Sequence, residues 1–139
     1  PGLVEIEVTE SSMMGEDAEI SIEMEALQTL GVKLLVDDFG TGYSSLSQLQ
    51  RLDMDGLKID RAFTSELGRS DEGEVFFTAI VTMAHALGMR VVAEGVETRQ
   101  QVDILKRLLC DEIQGFYVSR PVPAAAIPAL IENPKLLAA

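Results

Sequence analysis

The chain has 139 residues, 47% of them hydrophobic and 24% charged, with a net charge of −12, which suits one modest globular domain. Eight acidic residues and no Lys or Arg fall between residues 1 and 32. That balance argues against a nucleic-acid polymer as partner, and a phosphate ligand would need a metal cation between it and the carboxylates. No apolar run is long enough to span a bilayer and no signal-peptide pattern opens the chain, so no membrane contact is expected from this segment.

In chain order, Pro1-Gly2-Leu3 reads as a loop entering a strand, and the chain is expected to begin inside a larger protein. Val4–Val8 alternates with Glu5 and Glu7 and predicts a strand ending near Thr9, with Glu7 and Glu10 at its exit. Residues 17–30 carry both an alternating and a helical pattern. Their length, their Glu, Met, Ala, Leu and Gln content and the stop at Gly31 favour a helix. Leu34-Leu35-Val36 is a short aliphatic run that predicts a buried parallel strand. It ends in Asp37-Asp38, then in the loop Phe39-Gly40-Thr41-Gly42-Tyr43, whose glycines let the backbone bend tightly over a ligand. Two carboxylates at a strand end can reach one hard cation or two adjacent ones.

Ser44–Leu52 predicts a short helix and Asp55–Asp60 a short strand. Lys58 is out of place among apolar strand residues, because a buried ammonium is costly unless paired. It is read as pointing into a carboxylate-lined site rather than lying on an exposed face. Ala62–Leu67 is a further short helical run. Ser70 or Asp71 could cap a helix over about Glu74–Leu87, stopped by Gly88. His85, the only histidine, sits in that helix and is expected on its surface or in packing. Without a His or Cys cluster a zinc site is not expected. Leu87-Gly88-Met89-Arg90-Val91-Val92-Ala93-Glu94 echoes Leu30-Gly31-Val32-Lys33-Leu34-Leu35-Val36-Asp37, which places Asp37 and Glu94 on one rim of a sheet. Thr98 with Gln101 forms a capping-box pattern opening a helix through Leu109. Cys110 cannot form an intrachain disulfide and is expected to be a small buried apolar group in a reducing, cytoplasmic setting. Asp111–Gln114 is a weak strand, and Ala124–Ile131 a last helix ended by Pro134.

Five βα units in succession predict a parallel sheet with right-handed crossovers. In a barrel, functional residues sit at the C-terminal ends of strands, where Glu7, Asp37, Asp38, Lys58, Glu94 and Gln114 all fall.

Five motifs in order, Glu7-Val8-Thr9-Glu10-Ser11, Asp37 through Leu46, Lys58-Ile59-Asp60, Ala93 through Thr98, and Gln114-Gly115 through Pro121, resemble the EAL domain family of cyclic-di-GMP phosphodiesterases over almost the whole chain. The resemblance implies an α/β fold, a (β/α)8 TIM-like barrel of which about five βα units are present. It also implies metal-dependent hydrolysis of one phosphodiester of cyclic di-GMP to the linear dinucleotide, with Mg²⁺ or Mn²⁺, two ions in all, in bacterial signalling. By motif, Glu7, Asp37, Asp38 and Glu94 resemble metal ligands, with Asp37 shared between the two ions. Glu94 and Lys58 resemble the groups beside the attacking water. Glu10 resembles the glutamate that holds the loop running from Phe39 through Gly40, Thr41 and Gly42, and Gln114 a site glutamine.

The Glu-Ala-Leu signature and the asparagine expected on the following strand are absent, and both should lie upstream of Pro1. Residues 1–139 are therefore expected to be the C-terminal portion of one EAL-type domain, with upstream sensor or cyclase domains possible in the parent. The first metal would be short of two ligands, so the segment alone is expected to lack full activity and to associate as a homo-oligomer over its bared strand edges. The alternative reading is a catalytically incompetent module that binds cyclic di-GMP or a partner protein.

Overall fold

The computed structural model describes residues 1–10, 12, 18–40 and 46–132. Five strands, β1 (Glu5–Thr9), β2 (Lys33–Phe39), β3 (Gly56–Ile59), β4 (Arg90–Ala93) and β5 (Glu112–Ile113), form one parallel sheet in sequential order. Between them run α1 (Ala18–Thr29), α2 (Leu46–Leu52), α3 (Arg61–Thr64), α4 (Asp71–Ala86) and α5 (Arg99–Arg107). After β5 come a single 3₁₀ turn (Ala124–Ala126) and α6 (Ile127–Ile131). Every strand is thus followed by helix before its neighbour is laid down, the order that parallel pairing requires. Among the described residues no helix is long and apolar enough to cross a membrane.

Alternation along the strands sorts the sheet into two faces. Leu34, Val36, Leu57, Ile59, Val91 and Ala93 belong to one buried core with Phe77, Ile80, Val81 and Ala84 of α4 and Val102, Ile104 and Leu105 of α5. Leu35 and Val92 are buried too but stand outside that cluster, on the opposite face with Lys58. At the N-terminal end of the sheet, Arg90 pairs with Glu5 of β1 and with Glu112 of β5, the latter at 2.6 Å. One guanidinium therefore joins the first strand to the last, which shows how far the five strands curl. Arg suits the task because its planar fork serves two carboxylates at once.

Both turns of the sequence echo recur in three dimensions. Gly31 and Gly88 end α1 and α4 with φ of 81° and 78°, the left-handed cap that glycine fills without strain. Asp55 accepts the backbone N–H of Leu34 at 3.0 Å and pairs with Lys33, while Asp111 accepts that of Val91 at 2.7 Å and pairs with His85 at 2.9 Å. The one histidine thus serves as a surface hydrogen-bonding partner of Asp111. Burial pushes the Cys110 thiol up to about 11, as expected of an inert packing group.

Most element boundaries fall near their sequence readings, and the exceptions have local causes. Ser70 Oγ accepts Gly73 N–H, so α4 starts at Asp71, a turn earlier than the apolar pattern begins. The Thr98–Gln101 capping box forms in full, but Leu109 takes φ of 61° and α5 stops at Arg107. The run Ala62–Leu67 is helical only over Arg61–Thr64. Residues 44–45 and Pro134 lie outside the described residues.

Burial raises the pKa of the Asp111 carboxyl, but its bonds to His85 and to Val91 N–H outweigh that and hold it below the usual value. Such a carboxylate stabilises the fold fully above the unfolded aspartate pKa of about 3.9 and loses that contribution as pH falls through the folded value. Asp111→Asn should therefore lower the melting temperature at pH 7. The difference from wild type should shrink as thermal scans are taken down toward pH 2–3.

Candidate metal centre

At the C-terminal ends of β1 to β4 the concave face carries the groups singled out from sequence. Lys58 of β3 is 4% exposed, and its ammonium lies 2.8 Å from Glu7 Oε1, 3.0 Å from Asp37 Oδ1 and 2.7 Å from Glu94 Oε1. Three strands thus aim a carboxylate at the cation of a fourth. Burial alone would pull the lysine pKa down, but its bonds to Glu7 and Glu94 and the close carboxylate of Asp37 outweigh that and hold it above the ordinary value. The ammonium is fixed in its charged form, as a buried cation with three anionic partners must be.

Adjacent strand residues point to opposite faces, so Asp37 and Asp38 should diverge. The pairing of β2 with β3 resolves this. Val36 sits opposite Leu57 and Phe39 opposite Ile59, so β2 carries one residue more than β3 across that interval. This is a β-bulge, which re-aims side chains locally. Asp38 takes φ of 55° within it, the left-handed region that aspartate tolerates better than most residues. Oxygens of Asp37, Asp38 and Glu94 consequently come within 4.8 Å of one another. Phe39 returns to the helix-facing core.

Beyond the bulge, Gly40 donates its N–H to Glu10 Oε2 at 3.0 Å, and Glu10 is 3% exposed. Glu10 therefore holds the loop that follows the aspartates. Gln114 lies at the end of β5, where its N–H donates to Ala93 O and its carbonyl accepts from Val96 N–H. It shares an open pocket with Glu94, Arg61, Gly95, Glu97, Gly115 and Phe116. Thr41 and Gly42 lie outside the described residues.

The donor set fits a hard divalent cation. It consists of carboxylate oxygens only, which suits Mg²⁺, Mn²⁺ or Ca²⁺ and not a site selective for softer metals. Asp37 Oδ1 is buried with Lys58 as its charged neighbour at 3.0 Å, yet no aligned hydrogen bond reaches it. Such an atom has lone-pair capacity left for a cation. Glu7, half-exposed across the ammonium, stands on the Lys58 side of this group.

Sequence reading passed over three contributors. Asp60, quoted only within a motif, caps α3 by accepting Ala62 N–H at 2.8 Å. Arg61 pairs with Glu97 at 3.0 Å beside the Gln114 pocket. Phe63 packs its ring against the backbone of Gly40. The capping role was legible in the Asp-x-x pattern before a helix, whereas nothing in the sequence marks the other two contacts.

A carboxylate cluster around a buried ammonium lies at the C-terminal rim of a parallel α/β sheet, the end at which TIM-like barrels carry their functional residues. Residues 1–121 match the EAL domain, and the chain belongs to that family. It is 46% identical over 124 residues to the cyclic di-GMP phosphodiesterase NbdA of Pseudomonas aeruginosa, covering 89% of this chain and 16% of that protein. Among solved structures it resembles the phosphodiesterase PaMucR in its c-di-GMP complex, with a TM-score of 0.85 and 43% identity over 91% of this chain and 51% of that one. It also resembles Klebsiella pneumoniae BlrP1 in a manganese/cy-diGMP complex, with a TM-score of 0.80 and 37% identity over 87% of this chain and 31% of that one. The chain thus spans under a fifth of the curated relative and about half of the PaMucR chain. The fold is that of the EAL domains, a TIM-like barrel, represented among the described residues by five βα units.

Replacing Lys58 by Met keeps the stem and removes the charge, leaving three carboxylates facing one another. In the absence of divalent cations, Lys58→Met should lose on the order of 3 kcal/mol in urea unfolding, the cost of breaking a buried charge network. Added Mn²⁺ should restore more stability to the variant than it gives to wild type.

Proposed function

We propose that this chain is the C-terminal part of an EAL domain, and that the parent protein hydrolyses one phosphodiester of cyclic di-GMP to the linear dinucleotide with the help of two divalent cations. The observation that carries this reading is the convergence of Glu7, Asp37 and Glu94 on Lys58, with Asp38 brought alongside by the bulge. A solvated acidic surface would not bury an ammonium at its centre. The names of the related phosphodiesterases, and the manganese and cyclic-dinucleotide complexes among the related structures, point the same way.

In this reading Asp37, Asp38 and Glu94 would hold the cations, with Asp37 serving both, and Glu7 would be a further ligand on the Lys58 side. Bound there, the ions would supply Lewis acidity toward the phosphoryl oxygens and a lowered pKa for nearby water. Glu94 accepts the proton of the attacking water. Lys58, always charged, orients that water and steadies the charge that builds on phosphorus oxygens as the ester bond breaks. Glu10 acts at a distance, holding the Gly40 backbone so that the aspartates keep their direction. Gln114 sits beside the pocket that would receive the rest of the dinucleotide.

Incubation of the 139-residue chain with cyclic di-GMP and Mn²⁺, followed by chromatography of the linear dinucleotide, tests the proposal. Turnover abolished by the Asp37→Ala/Asp38→Ala double substitution is the expected result for a site that works in this chain or is completed by a second copy. Cyclic di-GMP binding without turnover, unchanged in the double variant, would overturn the hydrolytic roles and favour a binding module.

A further inference from the structure

The segment that fixes the two aspartates is held by a contact that hydrogen bonding does not reveal. After Asp38 the chain turns at Gly40 with φ of 99°, and its backbone lies close against the Cε2 and Cζ atoms of the Phe63 ring. A Cβ at Gly40 would stand 2.4 Å from Phe63 Cε2 and 2.6 Å from Cζ, well inside van der Waals contact. On another side Glu10 Oε2 takes the Gly40 N–H. Only Phe39 separates this clamp from Asp38, and Phe39 is itself paired with Ile59 and packed on the core. The left-handed backbone of Asp38, costly for any residue with a Cβ, persists because the residues after it cannot shift to relieve it.

The ring is as firmly placed as the loop it supports. Phe63 lies on α3, which begins directly after the strand bearing Lys58. Asp60 caps that helix, and the carbonyl of the fully buried Thr64 accepts Gln101 Nε2 of α5 at 3.1 Å. A flexible side chain would give way to the loop, whereas a phenyl ring on an anchored helix is a stop.

We propose that Phe63 is a positioning residue for the Asp37–Asp38 pair: its ring holds Gly40, and through it the bulge, in the form that brings both carboxylates toward Glu94. The proposal rests on reading those carboxylates as cation ligands. Phe63 touches no reacting atom in this account. Its effect is confined to the direction of two side chains, which separates it from an ordinary core residue whose loss would loosen the whole fold evenly.

Phe63→Ala and the milder Phe63→Leu, made in the 139-residue chain, provide the test through two readouts. Calorimetric titration with Mn²⁺ should show affinity weakened ~10-fold or more in Phe63→Ala, the scale set by losing support behind a metal ligand, with Phe63→Leu between it and wild type. Hydrogen exchange in EDTA should show the Gly40 amide losing protection while those of Val91 and Val92 keep theirs. Wild-type Mn²⁺ affinity in both variants with an equally protected Gly40 amide would overturn the proposal, as would a loss of protection spread evenly over the sheet. Should the wild type bind no Mn²⁺, the metal-site reading fails, and Gly40 exchange still decides whether the ring holds the loop. A double-mutant cycle adds an independent check. Gly40→Ala should cost less stability in the Phe63→Ala background than in wild type, and additive losses would show that the contact does not restrain the loop.

Discussion

The structure turns on one electrostatic constraint: a lysine ammonium, almost wholly buried, balanced by carboxylates from three different strands. A cation there without partners would be prohibitively costly, and three acids there without a cation would repel one another. Neither half is stable alone, so strand register, sheet curl and side-chain direction must agree to within a hydrogen-bond length for both to be buried together. The same arrangement that satisfies folding leaves a set of oxygen donors at the rim. Two of those donors, Asp37 and Glu94, are also partners of Lys58, so the rim and the buried pair draw on the same atoms.

The two ends of the sheet handle charge differently. At the N-terminal end Arg90 spans Glu5 and Glu112 in a closed arrangement that leaves one negative charge over. At the C-terminal end three acids gather around one ammonium with Asp38 beside them, leaving a surplus of negative charge. Between them Leu35 and Val92 fill the concave face with apolar bulk. A cation is therefore drawn to one mouth, and the opposite end contributes rigidity.

Much of this could be read from the sequence because two signals coincide along it. Apolar runs bounded by glycines give the βα alternation, and a polar residue falls toward the C-terminal end of each, from Glu7 through Asp37 and Lys58 to Glu94, although Asp37 pairs with Thr9 and Lys58 with Val92. The repeated segment around Gly31 and Gly88 placed Asp37 and Glu94 on one rim, and the structure puts them there. What could not be read is how neighbouring aspartates come to share a face. That depends on one surplus residue in β2 relative to β3, a comparison between strands that neither strand carries alone. The Phe63 ring on Gly40 was hidden for a similar reason, since it joins segments whose relative placement follows only from the packed fold. Local chemistry also moved some boundaries that periodicity had set. The Ser70 cap lengthened α4, and the positive φ of Leu109 shortened α5.

The bulge has a consequence for how this segment tolerates change in length. Upstream of it, Leu34 and Val36 face the helices on even positions, and downstream Phe39 faces the same way on an odd one. Deleting either aspartate would do more than subtract a carboxylate. It would restore regular pairing, with Phe39 two residues after Val36 and so still on the core face opposite Ile59, and the device that brings two carboxylates together would be gone. An alanine in place of an aspartate keeps the count and loses only the charge. The strand thus carries its site in one surplus residue that the core itself does not need.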